Sequence, residues 1–187
     1  MSIALIVLLV VVVAVIGFVV VGFNTLRRAD IAAQEALGGI DVQLTRRADL
    51  VPNLVETVKG YAAHEKGVLE EVTRARAGVQ AAAGGNDVAA RAAADTALTG
   101  ALARLNVVAE AYPDLKASTN FLDLQRQLAE IEGQLAFARQ YYNDAVARLN
   151  NLTRTIPWMF VTGLAGVGTR EFYDAPQGHE TAPTVSF

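Results

Sequence analysis

The sequence predicts an all-α protein with a single N-terminal transmembrane helix, followed by long antiparallel helices and an irregular C-terminal tail. Three observations predict this class. Residues 3–23 are apolar and carry no charge. The residues that follow are mostly good helix formers, and their apolar positions recur every three or four residues. Glycine or proline interrupts this pattern at a few places only, which favours a coiled-coil-like bundle of three to four helices.

The apolar stretch at residues 3–23 is long enough to cross a bilayer. At 1.5 Å of rise per residue it forms a helix of roughly 30 Å, about the thickness of the hydrocarbon core. Ile3, Leu8, Val13, Phe18 and Phe23 mark the predicted span along its length. The alternative is a cleaved secretory signal, but such signals have a basic start, a shorter apolar run and a small-x-small cleavage site. The permanent span is therefore the preferred interpretation.

The charges beside the span predict its orientation. Arg27 and Arg28 follow it directly, whereas Met1 and Ser2 before it add no basic side chain. Basic residues next to a span stay in the cytoplasm, so we expect the N-terminus outside and the body in the cytoplasm. The expected organisation is an anchor with its basic flank at 1–28, a helical domain at 29–156, and an apolar glycine-rich segment with an extended tail at 157–187.

Bulk composition excludes several classes of function. The net charge of −3 over 187 residues is small and mixed in sign, which argues against a nucleic-acid partner. The sequence contains no cysteine, so disulfides, thiolate metal sites and a cysteine nucleophile are ruled out.

The first part of the body is predicted as one helix from residue 24 to about residue 83. Gly38 and Gly39 suggest a hinge in it, and Pro52 suggests a kink. A turn at residues 84–87 ends it, and a second helix runs to about Tyr112, where Pro113 breaks the pattern. The apolar face of the first helix comprises Leu44, Val51, Val55, Val58, Ala62, Leu69, Val72 and Val79.

The third predicted helix has the most regular apolar pattern of the body. Its seam keeps the alternating three- and four-residue spacing of a coiled coil over five heptads. A helix of this length, over about 50 Å, needs a partner along its whole course, so the seam is a candidate interface between copies of the chain. The seam residues are Phe121, Leu124, Leu128, Ile131, Leu135, Tyr142, Leu149, Leu152 and Ile156.

An apolar, glycine-rich segment follows Pro157 and is too short to span a bilayer. Counting three helices that leave, return and leave again places this segment far from the membrane. Trp158 and Phe160 would then meet their copies at an apex. If the chain instead doubles back at Gly38-Gly39, the segment lies against lipid, where Trp favours the interface. The distal placement is the preferred expectation.

No stretch predicts catalysis, a cofactor or a metal. His64-Glu65 begins like a zinc-protease helix, but Val68 stands where the second His is required. The glycines at 163, 166 and 168 lack the strand–turn–helix context and the Gly-Lys-Ser/Thr of a phosphate loop. Asp41, Arg46 and Arg47 form either a solvated charged face or an ionic contact between subunits. We therefore expect a protein that is not an enzyme.

Three strings of the sequence resemble the LemA family. They are IDVQLTRRADLVPNLVETVKGYAAHE at 40–65, AEAYPDLKASTNF at 109–121 with Leu124 and Gln125 just after, and ARQYYNDAV at 138–146. The resemblance extends over nearly the full length, including the anchor and the break at Pro157. It departs at Gly38-Gly39, where the family commonly has Trp-Ser or a similar pair.

The resemblance implies an α-helical body on one N-terminal span in a bacterial membrane, without known catalytic activity. One family member belongs to the magnetosome membrane, and others are associated with membrane metalloproteases. Two hypotheses follow. The first is a membrane-anchored scaffold that self-associates into a ring or dome and organises or remodels the membrane. The second is an adaptor for another membrane protein such as a metalloprotease. The expected partners are the lipid bilayer, copies of the chain and, in the second case, that protein.

Overall fold

The computed structural model describes residues 3–85 and 87–173, and in these ranges the chain is helical, without strands. The predicted all-α class is confirmed. The extended tail expected after Tyr173 lies outside the described residues. The elements are α1 (Ile3–Tyr61), α2 (Lys66–Ala82), α3 (Val88–Glu110), the single turn α4 (Pro113–Lys116), α5 (Thr119–Arg154), a 3-10 turn (Trp158–Phe160) and the single turn α6 (Thr162–Ala165).

Helix α1 continues through both of its expected interruptions. Gly38 and Gly39 are helical and exposed, and Pro52 lies inside the helix. Two glycines cost about 2 kcal/mol relative to two alanines in a helix. The fully buried Leu26 and Ile40, with others on the same side, show that tertiary packing offsets this cost. Helix α1 is therefore continuous at Gly38-Gly39, and the expected hinge there stays a prediction.

The predicted continuous helix from residue 24 to residue 83 is wrong, because the chain turns at residues 62–65. Helix α1 ends at Tyr61, and the Glu65 N–H donates to the Ala62 carbonyl at 3.1 Å before α2 begins at Lys66. Helix α2 then packs against α3. Asp87 caps α3 by accepting from the Ala90 N–H at 2.9 Å. The described part of the chain thus has four long helices, within the predicted three to four, although the turn at residues 62–65 was not expected.

The chain divides into two compact units, and both are built on α1 and α5. Among the described residues, unit 1 combines 3–37 with 141–172, and unit 2 combines 38–85 and 87–140 with Tyr173. In unit 1, Trp158 just after α5 lies beside Phe18, so α5 runs antiparallel to this part of α1. In unit 2, residues 46–50 of α1 face residues 127–134 of α5, while residues 53–57 face 120–127. The antiparallel course therefore holds within each unit.

The seam of the long C-terminal helix is largely covered by the chain itself. Five of its residues are buried, namely Phe121, Leu124, Leu135, Tyr142 and Leu149. Leu128, Ile131 and Leu152 are half-buried, and Ile156 is 74% exposed just beyond the helix end. Most of the apolar area of the seam is therefore already buried within one copy of the chain. The expectation that the seam also joins copies of the chain stays a prediction.

Candidate membrane-contact site

The N-terminal part of α1 is the one helix among the described residues that is long and apolar enough to cross a membrane. Its most apolar stretch has no buried residue. Residues 3–18, from Ile3 through Leu8 and Val13 to Phe18, are exposed throughout. Such a surface is stable in lipid and costly in water, since burial of apolar area is worth about 25 cal/mol per Å². Phe23, at the end of the predicted span, is also exposed.

Trp158 packs directly onto this helix. Its ring stacks on Phe18 with centroids 5.7 Å apart and 12° between the ring planes. The contact depends on Gly22, because a Cβ there would lie 3.0 Å from Cε3 of Trp158 and 3.1 Å from Cγ2 of Val161. The segment after α5 therefore returns to the predicted span at a point where glycine lets the two backbones approach closely.

The same segment leaves a set of large apolar side chains uncovered. Val161 and Ala165 are buried, whereas Ile156, Phe160 and Leu164 are 74%, 72% and 65% exposed. We call Ile156, Met159, Phe160 and Leu164, together with Trp158, the membrane-side patch. Trp favours the bilayer interface and an apolar patch of this kind favours lipid. The patch is the strongest candidate functional surface of unit 1.

Whether Trp158 and Phe160 lie far from the membrane or against lipid stays a prediction, and the contact with Phe18 bears on it. The distal placement followed from counting three helices, and the turn at residues 62–65 adds a fourth. Within unit 1, Trp158 just after α5 lies beside Phe18 of α1. The alternative of lipid contact agrees with the position of Trp158 on Phe18, although α1 is continuous at Gly38-Gly39, where that alternative placed a reversal.

Polar contacts hold residues 170 and 171, which follow α6, against α1 and α5 within unit 1. The side-chain amide of Asn150 donates to the Arg170 carbonyl, and its oxygen accepts from the Arg170 N–H, each at 2.9 Å. Nε of Arg170 donates to Asp30 at 2.7 Å, and the Tyr142 hydroxyl donates to the Glu171 carbonyl at 2.8 Å. Because these contacts join three separate parts of the chain, the segment that carries the membrane-side patch is fixed at both ends.

Unit 2 contains a buried charge cluster around Asp95, whose side chain is 2% exposed. Its carboxylate accepts from Arg47 at 3.3 Å, from Arg139 at 2.5 Å and from the Tyr173 hydroxyl at 3.0 Å. Arg47 also donates to Thr99 at 2.9 Å and pairs with Glu132 at 3.0 Å. Burial, and secondarily the negative charge of Asp95, raises the pKa of Tyr173 well above its usual range. The cluster joins α1, α3 and α5 within the unit.

The charged residues singled out in the sequence belong partly to such pairs. Asp41 pairs with the buried Arg91 at 2.6 Å, and Arg47 takes its partners from the same chain. Arg46 is exposed. The ionic contact between subunits stays a prediction. Of the three residues, only Arg46 is exposed and outside the ion pairs described here, so it is the one available for such a contact. Asp95 and Arg139 were missed because their partners lie more than 40 residues away in sequence.

The structure assembles no catalytic geometry from the remaining candidates. His64 is exposed in the turn between α1 and α2, and Gly166 ends the single-turn helix α6 at a φ of 62°. Within residues 3–85 and 87–173, no group of three potential metal ligands is present.

The bare apolar helix, the membrane-side patch and the helical body define a membrane-associated, all-helical protein. The chain belongs to the LemA family, whose sequence profile matches residues 36–187.

The curated relatives are magnetosome proteins. The chain is 26% identical over 193 aligned residues to magnetosome proteins MamQ 1 and MamQ 2 of Paramagnetospirillum magneticum, with 91% of this chain and 71% of each relative covered. It is 25% identical over 170 residues to magnetosome protein MamQ of Magnetospirillum gryphiswaldense, with 78% of this chain and 62% of that protein covered.

Proposed function

We propose that the protein is a non-enzymatic scaffold of the bacterial inner membrane, with its N-terminus outside and its body in the cytoplasm. Copies associate in a ring or dome and thereby organise or remodel the bilayer. The observation that carries this proposal is the stacking of Trp158 on Phe18, with Ile156, Phe160 and Leu164 exposed beside the anchor. The chain would then meet the bilayer through two elements, the span and the membrane-side patch.

Attachment at two points favours association. A protein on a single helix rotates freely about the membrane normal, and every contact with a neighbour must first overcome that freedom. A second element seated in the interface restricts the rotation, so that neighbouring copies meet through the same faces. One repeated head-to-tail contact then closes into a ring.

Large apolar side chains on the body supply candidate contacts between copies. In unit 2, Phe137 on α5 is 73% exposed, Val107 on α3 is 70% exposed and Leu122 on α5 is 53% exposed. Single exposed apolar residues are common on soluble surfaces, but an aromatic side chain exposed to this degree is a frequent interface anchor. Phe137 is therefore the first residue to test.

Two further observations support a structural role. The buried Asp95 is engaged by two arginines and a tyrosine, so its carboxylate is occupied in holding helices together rather than free for acid–base chemistry. The relatives are named as magnetosome proteins, which agrees with a role in membrane organisation.

The absence of cysteine allows a direct test by cross-linking. Single cysteines are introduced by Phe137→Cys, Val107→Cys and Leu122→Cys, and the chain is oxidised in native membranes. We expect disulfide-linked dimers for at least one exposed position and none for the buried control Leu149→Cys. Light scattering in mild detergent should give a particle of several copies. A solitary chain without cross-links would contradict the scaffold, and a fixed foreign partner at one-to-one stoichiometry would support the adaptor.

The seating of the membrane-side patch has its own test, because Trp158 is the one tryptophan in the sequence. In vesicles, brominated acyl chains should quench its fluorescence strongly, and acrylamide in the water should quench it weakly. The opposite pattern would place the patch away from lipid and remove the observation on which the proposal rests.

A further inference from the structure

A groove in unit 1 lies between α1 and α5, next to the predicted span. Its volume is about 450 Å³. Two arginines, Arg28 from α1 and Arg148 from α5, line it together with the acidic Asp144. The remaining lining residues are small, apolar or hydroxylated, namely Thr25, Ala29, Ala32, Tyr141, Ala145 and Leu152.

The position of the groove fits the headgroup layer of a bilayer. Thr25 and Arg28 follow Phe23 by two and five residues, which is roughly 3 and 8 Å along a helix. The polar layer on each side of the hydrocarbon core is about 5–8 Å thick. Long arginine side chains at this level reach headgroups while their stems stay on apolar surface.

The charges in the groove are not neutralised within the unit. Among the residues that the structure describes, Arg28, Arg148 and Asp144 take part in no ion pair, although Asp30 nearby is held by Arg170. The lining therefore carries two positive charges and one negative charge. Two guanidinium groups from two different helices suit a phosphate oxygen cluster, since arginine binds phosphate through paired N–H donors. The small Ala29 and Ala32 leave room beside them.

We propose that this groove binds the headgroup of an anionic phospholipid of the leaflet on the Arg28 side. Arg28 and Arg148 donate to the lipid phosphate, and the apolar Leu152 lines the groove beside its glycerol and upper acyl region. This inference rests on the proposed membrane placement, but not on self-association. A bound lipid would join α1 to α5 at the membrane surface and so strengthen the attachment of unit 1.

The test uses the full chain in mixed micelles of phosphatidylglycerol and phosphatidylcholine, with retained lipid counted by native mass spectrometry. We expect the wild type to retain phosphatidylglycerol in preference to phosphatidylcholine. Arg148→Gln, which leaves the flank of the span untouched, should lower this retention roughly tenfold, because one charge-assisted contact to phosphate is lost. Arg28→Gln should act in the same direction.

Arg27→Gln is the matched control. It removes the same charge one residue away, at a position that does not line the groove. Unchanged retention in Arg27→Gln supports the groove, whereas an equal loss shows attraction by the basic flank alone and overturns it. Lack of headgroup preference in the wild type also overturns it. A further arm adds inorganic phosphate, and displacement of lipid at matched concentration would show a site for free phosphate instead.

Two measurements separate this proposal from the proposed function. Circular dichroism checks that each variant keeps its helices. Cross-linking through Phe137→Cys reports self-association and is independent of lipid retention, so either idea can fail while the other stands.

Discussion

The two units use the same pair of helices but stabilise them by different chemistry. Unit 2 buries the Asp95 cluster, with the side chains of Arg47 and Arg139 only 7% and 12% exposed. In unit 1, the buried Tyr142 and Asn150 bond to backbone groups, and the ion pair of Arg170 remains partly exposed. Unit 2 thus buries charged side chains, whereas in unit 1, which contains the predicted span, the buried polar side chains make neutral hydrogen bonds.

The comparison teaches where each type of interaction is useful. A buried ion pair adds little net stability over apolar packing, but removal of one partner leaves an uncompensated charge. A shift of one helix by one turn would separate the charges of such a cluster, so the cluster strongly disfavours the shifted packing. In unit 1 the close contact of Trp158 with Gly22 imposes the same restriction by shape rather than by charge.

The largest expected effect is in unit 2. Asp95→Ala removes the buried carboxylate from Arg47 and Arg139, whose remaining ion-pair partner is the partly exposed Glu132, and we expect a loss of about 3–5 kcal/mol in the free energy of unfolding. Thermal unfolding followed by circular dichroism in detergent measures it. The control is Asp123→Ala, which breaks an exposed pair with Arg126 and should cost less than about 1 kcal/mol. Equal effects would show that the buried cluster has no special weight.

The apolar core of unit 1 should give the next largest effect. Leu149 is fully buried, so Leu149→Ala should cost about 2–5 kcal/mol through lost burial and a cavity. Ile156 belongs to the same seam but is 74% exposed, so Ile156→Ala should change stability in detergent by less than about 0.5 kcal/mol. A large loss for Ile156→Ala would indicate that another copy of the chain covers this residue.

The close approach at Gly22 gives a third test. Gly22→Leu forces Trp158 and Val161 away from α1, at an expected cost of about 1–3 kcal/mol. The emission of Trp158 should shift, and its quenching by brominated lipid should fall. At Gly17 a Cβ meets nothing within 4 Å, so Gly17→Leu should leave both signals unchanged. If Gly22→Leu left both signals unchanged, the packing of Trp158 on α1 would be contradicted.

The smallest effect concerns Tyr173, which links its segment to Asp95. Tyr173→Phe removes the hydrogen bond to Asp95 and should cost about 1 kcal/mol at neutral pH. Because the folded state raises the pKa of Tyr173, its contribution is complete below the ordinary value of 10.0 and is lost as pH rises beyond it. The difference in melting temperature between wild type and variant should therefore shrink above pH 10. If the difference in melting temperature stayed constant above pH 10, ionisation of the Tyr173 hydroxyl would not be coupled to unfolding.

The sequence predicted well what depends on local periodicity. Leu44, Val51 and Val58 of α1 are buried as the pattern predicts, whereas Val55 is half-buried. The long helix α5 and the break near Pro113 also appear where the pattern places them. The turn at residues 62–65 was missed, since Gly60 and Gly67 near it are weaker signals than the paired glycines at 38 and 39. That turn divides the predicted first helix into α1 and α2.

The sequence by itself determined the helical class, the apolar N-terminal stretch and most of the faces that are buried, because these follow from the period of a helix and from the cost of exposing apolar groups to water. Only the tertiary structure decided which face meets which partner. Asp95 with Arg47 and Arg139, and Trp158 with Phe18, are pairs far apart in sequence. Local patterns contain no information on such pairs, since the number of helix reversals between them sets whether they meet.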